Sequence, residues 1–554
     1  MDSGGIYLAI SCPNPVQNLA HCPFVHRIAV VLLRYAGHTG TDALHWVRCI
    51  KIKVIAVTKP LSDVTPNTWE FLRDPMIKPT GFREYDARWK YPEEINLPGM
   101  TALGLGLGTQ MRKRGIDPVI AVGNDYRDYS LSIKNALILG LMQAGIQVKD
   151  IGPCVSPMAY FSQFHLDVPA VAMVTASHNP NGWTGVKMGF ERPLTHGPDE
   201  MSELKEIVLG GLGQAAPGGG YEFVDGVREA YLDDLVGDFK MSRKLKVVCA
   251  TGNGSASAFA PELFERIGVE VVPSHNTLDY TFPHYNPNPE AMEMLHDMSD
   301  SVKASGADFA LGFDGDGDRC GVVDDEGEEI FADKVGVIMA RDLSKIYPNS
   351  TFVADVKSTG LFASDPELQA NGVTADYWKT GHSHMKRRVK ELGALAGFEK
   401  SGHYFLAEPV GRGYDCGMRV AVEICKLMDR NPDMSMSDLR KALPKTWSTP
   451  TMSPYASDTE KYDILDRIVA KLVAHADAGK PLADRPIKEV VTVNGARVIL
   501  DNGSWGLVRA SSNTPNLVVV CESSESEAEL RQIFAEIDAV IRTEPGVGDY
   551  DQTF

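Results

Sequence analysis

Nothing in the 554 residues marks a disulfide-bonded, secreted or membrane-spanning chain. The nine cysteines are an odd number with no Cys-x-x-Cys pair, so neither a disulfide framework nor a structural zinc site is expected. No apolar run approaches the ~20 residues that cross a bilayer. Asp2 opens the chain without a basic leader ahead of an apolar stretch, so no secretory signal is expected. The expected compartment is a reducing cytoplasm. Positive charge is also scarce, with 55 Lys+Arg against 73 Asp+Glu and a net charge of −18. That balance argues against a nucleic-acid partner, which would require a basic face. It also repels anionic small molecules at long range, so an enzyme handling phosphates must gather its cations locally. Arg88, Arg127, Lys187, Arg319, Lys357, Lys379 and Arg509 are the candidates, scattered until a fold collects them.

What is present is more telling. Asp314-Gly-Asp-Gly-Asp318-Arg319 sets three carboxylates at alternate positions. In extended chain alternate side chains share a face, so Asp314, Asp316 and Asp318 can converge on one cation. Three hard oxygen ligands suit Mg²⁺, which keeps other positions for water and phosphate. A calcium loop of the EF-hand type would need glycine at its sixth position and glutamate at its twelfth; those places hold Arg319 and Asp325. A phosphate carrier is then expected, and Ser177 is the candidate. It ends the apolar run Val171-Ala-Met-Val-Thr-Ala-Ser177 and leads into His178-Asn179-Pro180, with Gly185 and Lys187 beyond. A serine at a strand's end faces a cleft, and His178 and Lys187 can supply protons or positive charge. Near the C-terminus, Arg509-Ala-Ser511-Ser512-Asn513-Thr514 offers one guanidinium with hydroxyl, amide and backbone donors, a cradle for a dianion.

These residues resemble the α-D-phosphohexomutases, and within them the bacterial phosphomannomutase/phosphoglucomutase branch. The resemblance covers about residues 80–554, with the motifs in order. It implies that Ser177 carries the phosphoryl group and completes the metal site of Asp314, Asp316 and Asp318, with Lys187 as general acid or base. Tyr85, Arg88, Asp125 and Arg127 match positions near the phosphoserine; guanidinium binds phosphate through two parallel hydrogen bonds. Glu399-Lys-Ser401-Gly-His403 matches the loop that reads the O3 and O4 hydroxyls, with His382 and Lys357 beside it, and Arg319 is expected to contact phosphate or sugar beside the metal. Two departures are visible: Trp183-Thr184-Gly185 stands where relatives often read Tyr-Asn-Gly, and Ser511-Ser512-Asn513 where they often read Ser-Asn-Thr. The implied reaction is reversible conversion of hexose 1-phosphate and 6-phosphate, mannose and/or glucose, through a 1,6-bisphosphate. Mg²⁺ and glucose or mannose 1,6-bisphosphate are the expected cofactors, hexose phosphates the expected partners, and a monomer or weak homodimer the expected state. The alternatives are a phosphoglucosamine mutase, whose distal loop more often reads Ser-Gly-Thr-Glu-Pro, and an inactive sugar-phosphate binder.

Three passages share one plan, an apolar strand followed by a turn and a helix: 118–127, 245–254 and 351–360. They predict three related α/β domains with mixed sheets. The family pattern adds a smaller α+β C-terminal domain, all four surrounding one cleft. The expected divisions are 79–235, 236–328, 329–447 and 448–554. Residues 1–78 lack convincing periodicity and are expected to be a poorly ordered extension.

Overall fold

The structure, a computed structural model, describes residues 59–511 and 514–552. Four sheets follow one another along the chain. The first runs, in spatial order, Ala87–Lys90, Trp183–Gly189, Ala170–Val174, Val119–Asn124, Gln147–Pro153 and Gly220–Phe223. Its centre is parallel, and its second strand, Trp183–Gly189, runs antiparallel to both of its neighbours. The run Ala-Val-Ala-Met-Val of Ala170–Val174 is buried at every position, as a strand covered by helices on both faces must be. The second sheet centres on Lys246–Ala250 and Phe309–Phe313, the third on Thr351–Asp355 and Ala396–Phe398, each pair parallel. The three predicted strand–turn units therefore hold equivalent places. The fourth sheet, from Trp447–Ser448 to Ile487–Val491, is entirely antiparallel, and the helices Lys461–Asp477 and Glu527–Ile541 pack on it. The α+β reading of the last domain holds, although Trp447 already belongs to its sheet.

One hairpin recurs four times. In the first sheet Ala170–Val174 turns back as Trp183–Gly189, and the turn carries Ser177. In the second, Phe309–Phe313 turns back as Cys320–Val323 around Asp314–Asp318. In the third, Ala396–Phe398 and Tyr404–Leu406 flank Glu399–His403. In the fourth, Trp505–Ala510 and Leu517–Ser523 flank the segment after Arg509. Ser177, the Asp314–Asp318 run, the Glu399–His403 run and the segment after Arg509 thus each belong to the hairpin turn of their own domain.

Domain 1 is compacted by its glycines. In the helix Leu97–Lys113 a Cβ on Gly104 would lie 2.1 Å from the Leu137 carbonyl oxygen, and one on Gly140 2.0 Å from that of Thr101. Two helices of mediocre intrinsic propensity are stable because their backbones touch. Asn96 caps the first of them, accepting from the Gly99 N–H at 2.7 Å. The same side chain donates to the carbonyls of Phe71 (2.6 Å) and Asp74 (2.8 Å). Residues 60–78 are thereby fastened to domain 1, with Met76 and Ile77 buried, each burial stabilising by about 1.5–3 kcal/mol. The poorly ordered extension expected over 1–78 does not include this stretch; residues 1–58 lie outside the described residues. Among the described residues no helix is long and apolar enough to cross a membrane.

A continuous apolar core joins domains 1, 2 and 3, running through Tyr160, Tyr231, Phe259, Phe313, Tyr414 and Met418. Domain 4 has a core of its own. It meets domain 3 through a smaller patch of Val356, Trp505, Leu507, Val518 and Val520.

Candidate active site

Ser177 lies in the turn after its strand with φ +52°, in the left-handed region. A non-glycine residue there costs about 1–3 kcal/mol and persists only where its surroundings enforce it. Enforcement comes from two arginines. Arg127 donates through Nη2 to the carbonyls of Ser177 (3.1 Å) and Asn179 (2.7 Å), and through Nη1 to that of Pro180 (3.2 Å). Arg88 donates to the Ala176 carbonyl at 3.1 Å and to the Asn179 side chain. Arg127 is buried, with its Nε beside Asp125 and its plane over the Phe282 ring. Its fork is therefore filled by protein carbonyls, and Arg127 holds the serine loop.

The turn so held meets the acidic loop. Ser177 Oγ lies 3.2 Å from Asp314 Oδ2, across 137 residues of sequence. A Cβ on Gly315 would fall 2.4 Å from the Ser177 carbonyl oxygen, so only glycine lets the two loops approach this closely. Asp314, Asp316 and Asp318 are fully buried, and one oxygen of each lies within 4.8 Å of the others. Lys187 Nζ donates to Asp316 Oδ2 at 2.7 Å and to Asp318 Oδ2. Burial opposes the lysine's charge, but the two carboxylates outweigh it and raise its pKa. Burial, then Asp318 and Asp316, push the Asp314 carboxyl well above the carboxylate range. The lysine and the His403 imidazole overcome burial at Asp318 and hold it well below that range.

This donor set fits a hard divalent cation. Asp316 Oδ1 is buried without a hydrogen-bond partner and is free to serve as a ligand. The loop joins two antiparallel strands rather than two helices, which removes the EF-hand reading.

Around this centre stand the remaining candidates. Arg319 donates through Nη2 to His178 Nδ1 at 3.0 Å and pairs through Nη1 with Glu290 at 2.8 Å. A guanidinium only donates, so His178 Nδ1 accepts. Burial and the nearby Arg319 and Arg88 hold this imidazole neutral, its pKa far below the usual value. His403 is its opposite: burial and Arg319 work against its charge, yet Asp318 and Glu399 raise its pKa to about 9. Its Nε2 stands 3.3 Å from Asp318 Oδ1, and its Nδ1 3.0 Å from Ser401 Oγ and 3.3 Å from Glu399 Oε2. Glu399 Oε1 accepts from the Gly381 N–H, and the Lys357 charge helps hold its carboxyl ionised against burial. His382 Nδ1 is 3.3 Å from Thr195 Oγ1, and its Nε2 is buried without a partner. The Tyr85 ring meets His382 edge-on at 4.8 Å, and burial raises its hydroxyl's pKa.

Arg509 lies farther out. Its Nη1 donates to the Ala510 carbonyl at 2.8 Å, and its Nε is buried without a hydrogen-bond partner. Its charge is felt at the hydroxyls of Tyr85 and Tyr462, from domains 1 and 4. Ser511 Oγ accepts from Thr514 N at 3.2 Å and Thr514 Oγ1 at 2.8 Å. Ser512 and Asn513 lie outside the described residues. Sequence reasoning missed Ser156, which donates to Asp316, and Glu290, Thr195 and the fully buried pair Lys386–Asp415 at 2.7 Å. None of these has a local pattern; each is defined by a distant partner.

Residues 79–211, 229–327 and 331–447 match, in turn, the alpha/beta/alpha domains I, II and III of phosphoglucomutase/phosphomannomutase, and residues 466–540 its C-terminal domain. The phosphomannomutase/phosphoglucomutase of Pseudomonas putida is 34% identical over 82% of this chain and 93% of its own length. The phosphoglucomutase of Neisseria gonorrhoeae is 30% identical over 84% and 97%. The crystal structure of a phosphoglucomutase/phosphomannomutase family protein from Burkholderia thailandensis superposes with a TM-score of 0.77 at 30% identity, covering 85% of this chain and 99% of that one. With four matched domains in order and the hairpin turns of the first three gathered on one centre, the chain belongs to the phosphoglucomutase/phosphomannomutase family, within the α-D-phosphohexomutase superfamily.

Proposed function

We propose that the protein interconverts hexose 1-phosphates and hexose 6-phosphates, of mannose and glucose, by way of a phosphorylated Ser177 and a hexose 1,6-bisphosphate. The observation that carries this reading is the approach of Ser177 Oγ to Asp314 at 3.2 Å, between loops of different domains. The sugar's free hydroxyl attacks the phosphorus on Ser177; the bond from phosphorus to Ser177 Oγ breaks as the new P–O bond forms, and the bisphosphate results. After it turns around, Ser177 Oγ attacks its other phosphate and the product leaves.

Asp314, Asp316, Asp318 and the Ser177 phosphate would hold Mg²⁺, which would supply positive charge to the transferring group. Lys187, kept protonated by two carboxylates, donates a proton or stabilises charge. Charged His403 and Arg319 add positive potential on the side of domain 3. Arg88 and Arg127 keep the serine turn in the conformation that presents Oγ. Glu399 and Ser401 receive two neighbouring sugar hydroxyls in either orientation, and Arg509 with Ser511 takes the distal phosphate. Expected partners are small hexose phosphates alone, met in the cytoplasm by a monomer or weak homodimer.

The test is turnover by purified protein with Mg²⁺ and a trace of glucose 1,6-bisphosphate, on mannose, glucose and glucosamine phosphates, with Ser177→Ala as control. Conversion of the first two, together with phosphoserine at 177 in peptide mass spectra, is expected. Preference for glucosamine phosphate would move the chain to the rival mutase. No turnover and no phosphoserine would leave a sugar-phosphate binder.

A further inference from the structure

Three backbone carbonyls of the acidic loop are each met by a different domain. The Gly315 carbonyl accepts from Ser255 N at 3.0 Å, that of Asp316 from Ser156 N at 2.9 Å, and that of Gly317 from Gly417 N at 3.1 Å. Only Ser156 adds a side chain. It opens the helix Ser156–His165 of domain 1 and is fully buried. Its Oγ donates to Asp316 Oδ2 at 2.6 Å. Lys187 Nζ donates to the same oxygen at 2.7 Å. Both strong donors therefore fall on one side of the carboxylate. The other oxygen, Oδ1, is buried and has no hydrogen-bond partner.

We propose that Ser156 is a positioning residue: its hydroxyl fixes the Asp316 carboxylate so that Oδ1 is left for a divalent cation. Lys187 is shared with Asp318 and so cannot hold Asp316 alone. The helix from which Ser156 projects is part of the core common to domains 1, 2 and 3 through Met158, Tyr160 and Phe161, which makes it a rigid support. Groups behind a metal's ligands commonly change metal affinity 10- to 100-fold when removed.

The inference rests on the acidic loop being a metal site, and its test separates the two ideas. Mn²⁺ is titrated into the purified full-length protein and followed by the electron paramagnetic resonance of free Mn²⁺. Wild type binds; Ser156→Ala binds about tenfold more weakly; Ser156→Thr, which keeps the hydroxyl, binds within about threefold of wild type. The Mg²⁺ concentration for half-maximal activity shifts in the same order, while KM for hexose phosphate is unchanged. Should the alanine variant fail to fold, Ser156→Cys keeps the volume with a much weaker donor and is expected to bind like alanine. Mn²⁺ binding by Ser156→Ala or Ser156→Cys within twofold of wild type overturns the role of Ser156 and leaves the metal site standing. No binding by wild type overturns both.

Discussion

Replacing Arg127 by methionine separates loop holding from phosphate binding. The thioether stem keeps much of the packing against Phe282 but removes the donors to the Ser177, Asn179 and Pro180 carbonyls. Ser177 then has less to hold it at φ +52°, a conformation that costs about 1–3 kcal/mol. Relaxation by that amount lowers the competent fraction of the loop by about 5- to 150-fold, at tenfold per ~1.4 kcal/mol. The serine must be in place in every transfer, whereas the proposed grip on the hexose phosphate lies elsewhere, at Glu399, Ser401 and Arg509. The expected result is a kcat about ten- to a hundredfold lower with KM within about twofold, and a reduced share of phosphorylated protein in intact mass spectra. Arg127→Lys is expected to be nearly as impaired, because an ammonium cannot reproduce the planar fork. The assay follows glucose 1-phosphate to glucose 6-phosphate by coupled oxidation of the product. A tenfold rise in KM with kcat preserved would show that Arg127 grips substrate phosphate, and the positioning argument would fail.

Gly315→Ala places a Cβ 2.4 Å from the Ser177 carbonyl oxygen, so the two loops must separate; kcat is expected to fall by about two orders of magnitude, and a value within threefold of wild type contradicts the close approach. Asp314→Asn removes a carboxylate whose ionisation is opposed by burial, Asp318 and Asp316. Because its folded pKa is raised, the native state loses stability as pH climbs above the ordinary 3.8. At neutral pH in a chelator the variant should therefore melt higher than wild type, yet gain nothing from Mg²⁺ and turn over nothing. Glu522 sits at the junction of domains 3 and 4. Burial would raise its pKa, but Lys334, the Gly360 N–H and Trp505 bring it down to about 2 from 4.5. Its contribution, roughly 3 kcal/mol at 1.36 per pH unit, is full above pH 4.5 and lost as pH falls towards 2. Glu522→Gln should flatten the decline in melting temperature across that window, and an unaltered decline would show that the pair is not the source.

The chemistry was legible wherever its residues are neighbours in the chain. Asp314 to Arg319, and Ser177 with Lys187, lie within short stretches because each is presented by one hairpin turn, and a turn is a local object. The three mixed sheets could be read for the same reason, since strand, turn and helix repeat at 118, 245 and 351. What escaped is what long-range partners decide. Arg127 reads as a phosphate ligand from its residue type, and only the fold reveals carbonyls already filling its fork. His178 and His403 are both plausible acids on paper. Arg319 beside one and Asp318 beside the other set their opposite charge states. The fastening of residues 60–78 rests on Asn96, which lies more than twenty residues from Phe71 and Asp74.

A mutase of this kind makes two demands that conflict. Phosphoryl transfer needs its groups fixed to fractions of an ångström, while an intermediate that turns around needs space to do so. The fold assigns these demands to different parts. The transfer centre is built where domains 1, 2 and 3 share one apolar core, and carbonyls of the acidic loop are gripped by all three. Distorting it means disturbing that core. Arg509, the proposed distal cradle, belongs to domain 4, whose core is separate and whose union with domain 3 is the small patch around Trp505. That patch is reinforced by Arg497, which donates to the carbonyls of Val356 and Ser358 at 2.7 Å each and stacks on Tyr377 and Trp505. The boundary is narrow, with polar contacts concentrated on Arg497 and Glu522. Opening there would enlarge the cleft at the distal phosphate without moving Ser177 from Asp314.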